Sequence, residues 1–138
     1  MSETNFTLID DGRSIDVAAH ISGERVRLSP ETVRQALGWE LKPEGLCREA
    51  VCVPVRDRAA LLDADGIDLA GLARALQRPL ALDAGEPAAY LAASAAERGA
   101  QLASLQAPDV TLPDLAGRPH RISDYRGKKA LLVAYASW

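Results

Sequence analysis

Two cysteines stand closest to chemistry in this chain. Cys47 and Cys52 are its only cysteines, set in Leu46-Cys47-Arg48-Glu49-Ala50-Val51-Cys52-Val53-Pro54. A thiolate attacks a disulfide sulfur, so two thiols that can meet form an electron-accepting or electron-donating pair. The spacer of four residues decides whether they meet. An extended chain rises ~3.3 Å per residue and would part the Cα atoms far beyond the ~7 Å that a disulfide tolerates. Val51-Cys52-Val53 reads as strand, whereas Gly45-Leu46-Cys47-Arg48-Glu49 does not. A turn at Arg48-Glu49-Ala50 with the two sulfurs facing each other is therefore expected. Arg48 is placed to favour a Cys47 thiolate by its charge. Cys47 is expected to be partly exposed, since an exchanging thiol must be reached. Three readings stay open: a redox pair that exchanges with a second site, a structural disulfide or dithiol, and two independent cysteines. His20 and His120 are the only histidines. Each stands alone and reads as a surface residue, so no metal site and no cofactor is expected.

The elements around the cysteines follow from local pattern. Residues 14–19 alternate apolar with small or polar side chains, as a half-buried strand does. Ser22-Gly23-Glu24 lies between apolar flanks and predicts a hairpin over residues 21–28. Ser29-Pro30-Glu31 opens a helix: Ser29 can cap, Pro30 suits the first position, and Glu31 favours the positive end of the dipole. Val33 and Leu37 share one face of it, and Gly38 ends it. Residues 51–55 form a strand that Pro54 confines to an edge. The acid-rich segment 63–68 reads as a turn followed by the cap of a second helix, Asp68. Ile67 and Leu72 staple its start, and Leu69, Leu72, Ala73 and Leu76 form its buried face. A short strand at residues 80–82 is expected beside residues 51–55, and residues 87–100 suit a helix by composition. Trp39 is either core or the wall of a pocket beside the cysteines.

Composition sets the class. A chain of 138 residues with 48% hydrophobic and 25% charged residues is globular, with room for one or two small domains. Aromatic residues are only 4%, so the core must be Ala, Leu and Val. The net charge is −3 and no basic run occurs, which argues against a nucleic-acid partner. Residues 1–6 lack the charged and apolar regions of a secretory leader, and no apolar run reaches ~18 residues. A cytoplasmic location without membrane insertion is expected. In that compartment paired cysteines are more often catalytic or metal-binding than structural.

A second unit begins near residue 105. Its landmarks are Ala107-Pro108-Asp109, Leu112-Pro-Asp-Leu-Ala-Gly117, Pro119-His-Arg-Ile122, Ser123-Asp-Tyr-Arg-Gly127, and an apolar run over residues 129–135 that ends in Ala136-Ser137-Trp138. This series resembles the opening of a redoxin domain, the peroxiredoxin-like and TlpA-like branch of the thioredoxin superfamily. The resemblance implies a hairpin followed by the first central strand of a thioredoxin-like sheet, fully apolar because both of its faces are covered. The fold class expected is thus α+β: a small N-terminal module over residues 1–104, then the truncated start of a thioredoxin-like domain over residues 105–138.

In that family Ala-Ser-Trp is followed at once by the active-site Cys-x-x-Cys. The nucleophile there sits at a helix N-terminus, whose dipole lowers the thiol pKa. Here the sequence stops at Trp138, and three explanations stay open: a deliberate cut, a truncating mutation, and an unread selenocysteine codon at the next position, the last being favoured. No catalytic residue then lies in the chain itself. Trp138 and Tyr135 would flank the site, and Cys47 and Cys52 remain the candidate redox pair. The resemblance implies a thiol- or selenol-dependent oxidoreductase, or peroxidase, acting on disulfides or peroxides, of which these residues alone would be inactive. The unpaired apolar segment predicts a dimer through residues 129–135. The alternative is a partner- or ligand-binding module with a vestigial redoxin segment. It draws on a likeness in element order between the first module and the N-terminal repeat of copper amine oxidases.

Overall fold

The computed structural model describes residues 3–83 and 85–136. The chain divides into two compact units, Met1–Ala100 and Gln101–Trp138. In the first unit the elements run β1 (Glu3–Asp10), β2 (Arg13–Ser22), β3 (Arg25–Leu28), α1 (Pro30–Leu37), β4 (Glu40–Lys42), β5 (Gly45–Arg48), β6 (Val51–Val53), α2 (Arg58–Leu61), β7 (Leu62–Asp63), β8 (Gly66–Asp68), α3 (Leu69–Ala75), β9 (Leu80–Asp83) and β10 (Ala88–Leu91). Helix α4 (Ala95–Ala103) carries the chain into the second unit. There β11 (Thr111–Pro113) and β12 (Pro119–Arg121) precede a 3-10 turn, Ile122–Tyr125.

Seven strands form one mixed sheet in the order β7-β8-β3-β2-β1-β10-β9. Only the β1–β10 pairing is parallel. The period of two in the strands selects the core face: Phe6 and Leu8 in β1, Val17 and Ala19 in β2, Val26 and Leu28 in β3 are all buried. Helices α1 and α3 cover that face with Val33, Leu37, Leu69, Leu72 and Ala73. Ten of the most buried side chains are Leu, Val or Ile with a single Phe, so this core has the aliphatic composition expected of a chain poor in aromatics. Arg78 ties the far end of the sheet. Its guanidinium pairs with Asp10 at 2.6 Å and donates to the carbonyls of Leu91 and Ala92 at 3.0 and 2.7 Å.

The local signals of the first module are realised. The hairpin β2–β3 closes on Gly23-Glu24 with Ser22 opposite Arg25. Ser29 Oγ accepts from the Thr32 N–H at 3.0 Å, and Gly38 ends α1 at φ 73°. Asp68 caps α3 through the Gly71 N–H at 2.7 Å. Other expectations are corrected. Strand β9 pairs with β10, not with residues 51–55. Residues 87–100 are not one helix: β10 takes Ala88–Leu91, because Tyr90 and its neighbours find the open edge of β1, and only α4 is helical. Segment 62–68 is a β7–β8 hairpin that extends the large sheet, where only a turn and cap were expected. Strand β1 is absent from the expected elements. Its signal was Asp11-Gly12, whose φ values of 48° and 89° are those of the two-residue hairpin turn this pair favours.

In the second unit β11 and β12 form the expected hairpin. Asp114 closes it by accepting from the Ala116 and Arg118 N–H groups at 2.8 and 2.9 Å and by pairing with His120 at 3.1 Å. The expected central strand over residues 129–135 does not form. These residues adopt no regular structure through residue 136, and Leu131, Leu132, Val133 and Tyr135 are exposed. A strand needs a neighbour to take its N–H and C=O groups, and among the described residues this segment has none. Trp138 lies outside the described residues.

Candidate functional site

The cysteines meet in a second, smaller sheet of order β4-β5-β6. Strands β5 and β6 are joined by the two residues Glu49-Ala50, with Arg48 opposite Val51 and Cys47 opposite Cys52. Glu49 supplies the left-handed residue of this turn at φ 54°. Cys47 and Cys52 are disulfide-bonded, with their Cα atoms 4.0 Å apart. The turn at Arg48-Glu49-Ala50 and the facing sulfurs are therefore as expected, and the reading of two independent cysteines is excluded. Strand β5 anchors the hairpin, since Leu46 is fully buried. Gly45 lets it begin: at φ 139° a Cβ there would lie 2.1 Å from the Val53 carbonyl oxygen.

The two sulfurs are not equivalent. Cys47 is 4% exposed and its Sγ lies 3.9 Å from the Gly45 carbonyl, whereas Cys52 is exposed. The expectation that Cys47 would be the reachable thiol is corrected: Cys47 sits on the central strand and Cys52 on the outer one. Arg48 is corrected too. Adjacent residues of a strand point to opposite faces, so Arg48 turns away from the disulfide. Its guanidinium lies 4.8 Å from the Trp39 ring centroid and 3.9 Å from Glu97. On the disulfide face the residue opposite Cys47 is Glu40, a carboxylate that pairs with Lys42 at 3.6 Å.

Trp39, Arg48, Val51, Val53, Arg78 and Glu97 line a hollow of about 410 Å³ on the reverse face of this sheet. Trp39 is thus both core, at 6% exposed, and pocket wall. Ser94 and Glu97 cap α4 reciprocally: Ser94 N–H donates to the Glu97 carboxylate at 2.7 Å, and Glu97 N–H donates to Ser94 Oγ at 3.1 Å. The Ser94 N–H, with the nearby charges of Arg78 and Arg48, holds the Glu97 carboxyl below its ordinary value. A larger hollow, about 690 Å³, runs along Val53, Pro54 and Val55 towards α2 and α3.

His20 is half-buried in β2 beside Glu3, at 3.8 Å, and His120 is exposed on β12. The two sit in different units. No helix among the described residues is long and apolar enough to cross a membrane.

Over 42 residues the chain is 45% identical to the thiol-disulfide oxidoreductase ResA of Geobacillus thermodenitrificans. That stretch is 30% of this chain and 24% of that protein, so the chain spans about a quarter of the relative it matches. No family model and no solved structure matches.

Proposed function

We propose that this chain is part of a thiol- or selenol-dependent oxidoreductase of thioredoxin-like kinship, and that Cys47–Cys52 is an exchanging disulfide within it. The observation that carries the proposal is the asymmetry of the disulfide. One sulfur is open to attack and the other is held in the sheet as leaving group. A substrate thiolate attacks Cys52 Sγ. A substrate–Cys52 bond forms, the Cys47–Cys52 bond breaks, and Cys47 leaves with the electron pair and takes a proton from solvent. A second thiolate then attacks the substrate sulfur, leaves the substrate oxidised, and releases Cys52 as thiolate. Attack at Cys52 conserves the buried position of Cys47, but burial and the neighbouring Glu40 oppose a Cys47 thiolate, so exchange is slow beside that of a dedicated helix N-terminal cysteine.

The similarity to a thiol-disulfide oxidoreductase and the redoxin-like landmarks after residue 105 support the same reading. In it, the parent protein acts on disulfides or peroxides and works in the cytoplasm. There most disulfides that form are catalytic or redox-sensing. The exposed apolar residues Leu131, Leu132, Val133 and Tyr135 support association of two copies through this segment. Sedimentation should show a dimer that truncation at residue 104 abolishes; a monomer in both cases excludes it.

The experiment for the function is turnover by the 138-residue protein. It should reduce insulin slowly with dithiothreitol, lose that activity in Cys52→Ser, and show no peroxide turnover. Peroxide turnover that survives Cys52→Ser, or insulin reduction indifferent to it, contradicts the proposal. The binding-module alternative is separated by the nucleotide sequence after codon 138: an in-frame UGA followed by redoxin-like coding supports the oxidoreductase.

A further inference from the structure

We propose that the free edge of β6 is a docking strand for an extended, cysteine-bearing peptide, which pairs with Cys52 through the backbone and thereby brings its own sulfur to Cys52 Sγ. This rests on the exchange reading above and names its substrate class.

The backbone geometry supplies the argument. In an antiparallel pair, facing residues alternate between those that exchange both hydrogen bonds, with Cα atoms about 5.5 Å apart, and those that exchange none, about 4.5 Å apart. Cys47 and Cys52 are 4.0 Å apart, which places them in the second class. The turn says the same. Across a two-residue loop the flanking pair, Arg48 and Val51, is hydrogen-bonded, so the next pair is not. The N–H and C=O of Cys52 therefore point away from β5. No strand lies on that side among the described residues, and neither group has a turn or side-chain partner there. An unpaired edge is a template for another chain, and here the edge donor and acceptor belong to the residue whose sulfur is exposed.

Register and specificity follow. A peptide cysteine opposite Cys52 exchanges both backbone hydrogen bonds with it and shares its face, within reach of a direct cross-strand pair. The residues before and after that cysteine turn to the other face, against Val51 and Val53, which are apolar, so apolar neighbours are favoured. Pro54 has no N–H, so the ladder cannot extend past Val53. The occupant is thus a short segment of the type apolar-Cys-apolar, acting as the reductant: its thiolate forms the new bond to Cys52 and Cys47 carries away the electron pair.

The test uses Cys47→Ser, which leaves Cys52 as the sole thiol. Peptides of the sequence Ala-Val-Cys-Val-Ala carry their cysteine as a mixed disulfide with thionitrobenzoate, whose release is followed by absorbance. Methylation of the reacting cysteine's own nitrogen should slow mixed-disulfide formation at least about fivefold, the worth of one hydrogen bond. Methylation of the following nitrogen, which points away from β6, should change it less than about twofold by the same reasoning. Equal rates for both methylated peptides overturn the docking strand while leaving exchange at Cys52 intact. If Cys52 is inert even to the thionitrobenzoate disulfide of 2-mercaptoethanol, the exchange reading fails and the inference with it. A second measurement needs no variant. In the oxidised wild-type protein the Cys52 amide should exchange its hydrogen close to the unprotected rate while the Cys47 amide is protected. A strongly protected Cys52 amide overturns the proposal.

Discussion

Reduction of the Cys47–Cys52 bond should cost the first unit about 2 kcal/mol of stability. The magnitude follows from the loop it closes. The two cysteines are five apart in sequence, so six residues lie in the closed loop. Chain-entropy bookkeeping gives about 7 cal/mol/K for such a loop, or about 2 kcal/mol at 25 °C. This is near the lower end for disulfides because the loop is short. For a unit of about 100 residues that is a fall in Tm of roughly 10 °C. By linkage the folded protein also makes the bond harder to reduce than in the unfolded chain, by about 40 mV for a two-electron couple. The loss reaches the whole unit because Leu46, inside the hairpin, and Trp39, just before β4, belong to the core. The assay is urea unfolding followed by circular dichroism, oxidised against reduced, with Cys47→Ser/Cys52→Ser to remove any effect of the reductant. Coincident midpoints for all three would refute the reasoning, as would a reduced form more stable than the oxidised one.

Two further predictions concern the frame around the site. Gly45→Ala should destabilise the first unit by more than about 2 kcal/mol, since φ 139° and a Cβ 2.1 Å from the Val53 carbonyl leave the side chain no place; an unchanged denaturation midpoint would show that β5 can shift. The hairpin of the second unit should loosen in acid. The backbone N–H of Arg118 and the side chain of His120 hold the Asp114 carboxyl below its ordinary value, and the backbone N–H and hydroxyl of Ser123 do the same for Asp109. A lowered folded-state value means that the stabilisation is complete above about pH 4, the unfolded value, and fades as pH falls through the lowered one. Amide resonances of residues 110–123 read this directly, and weakening on going from about pH 2 to about pH 4 would reverse the sign.

What the sequence made legible was local. Ser29-Pro30, Gly38, Asp68 and the Ser22-Gly23-Glu24 turn act through contacts a few residues apart, and each fixes a boundary without help from the rest of the fold. The turn between the cysteines belongs with them, because a four-residue spacer brings them together only through a turn, although the spacing alone left open whether they pair. The pairing of β9 with β10 was not legible, since residues 80–82 and 51–55 present the same short apolar pattern and only the large sheet decides between partners. Arg48 and Cys47 were misjudged for one reason: the strand reading stopped at Val51, and once β5 is a strand the face of every residue from 45 to 48 is set by alternation. That alternation also places Arg48 on Trp39, while the central position of β5 buries Cys47 and the edge position of β6 leaves Cys52 outside. Residues 129–135 carry a strand's composition, but composition cannot supply the neighbour that a strand requires.

The central claim is that Cys47–Cys52 exchanges. It is tested most directly by the reduction potential of this one bond, measured by equilibrating the native protein in dithiothreitol or glutathione buffers and counting alkylated cysteines by mass. An exchanging disulfide should lie between about −180 and −270 mV, the range of thiol-exchange proteins, and should reach equilibrium without denaturant. A potential below about −300 mV, or a bond that stays oxidised until the protein is unfolded, would leave the disulfide a structural staple and contradict the account.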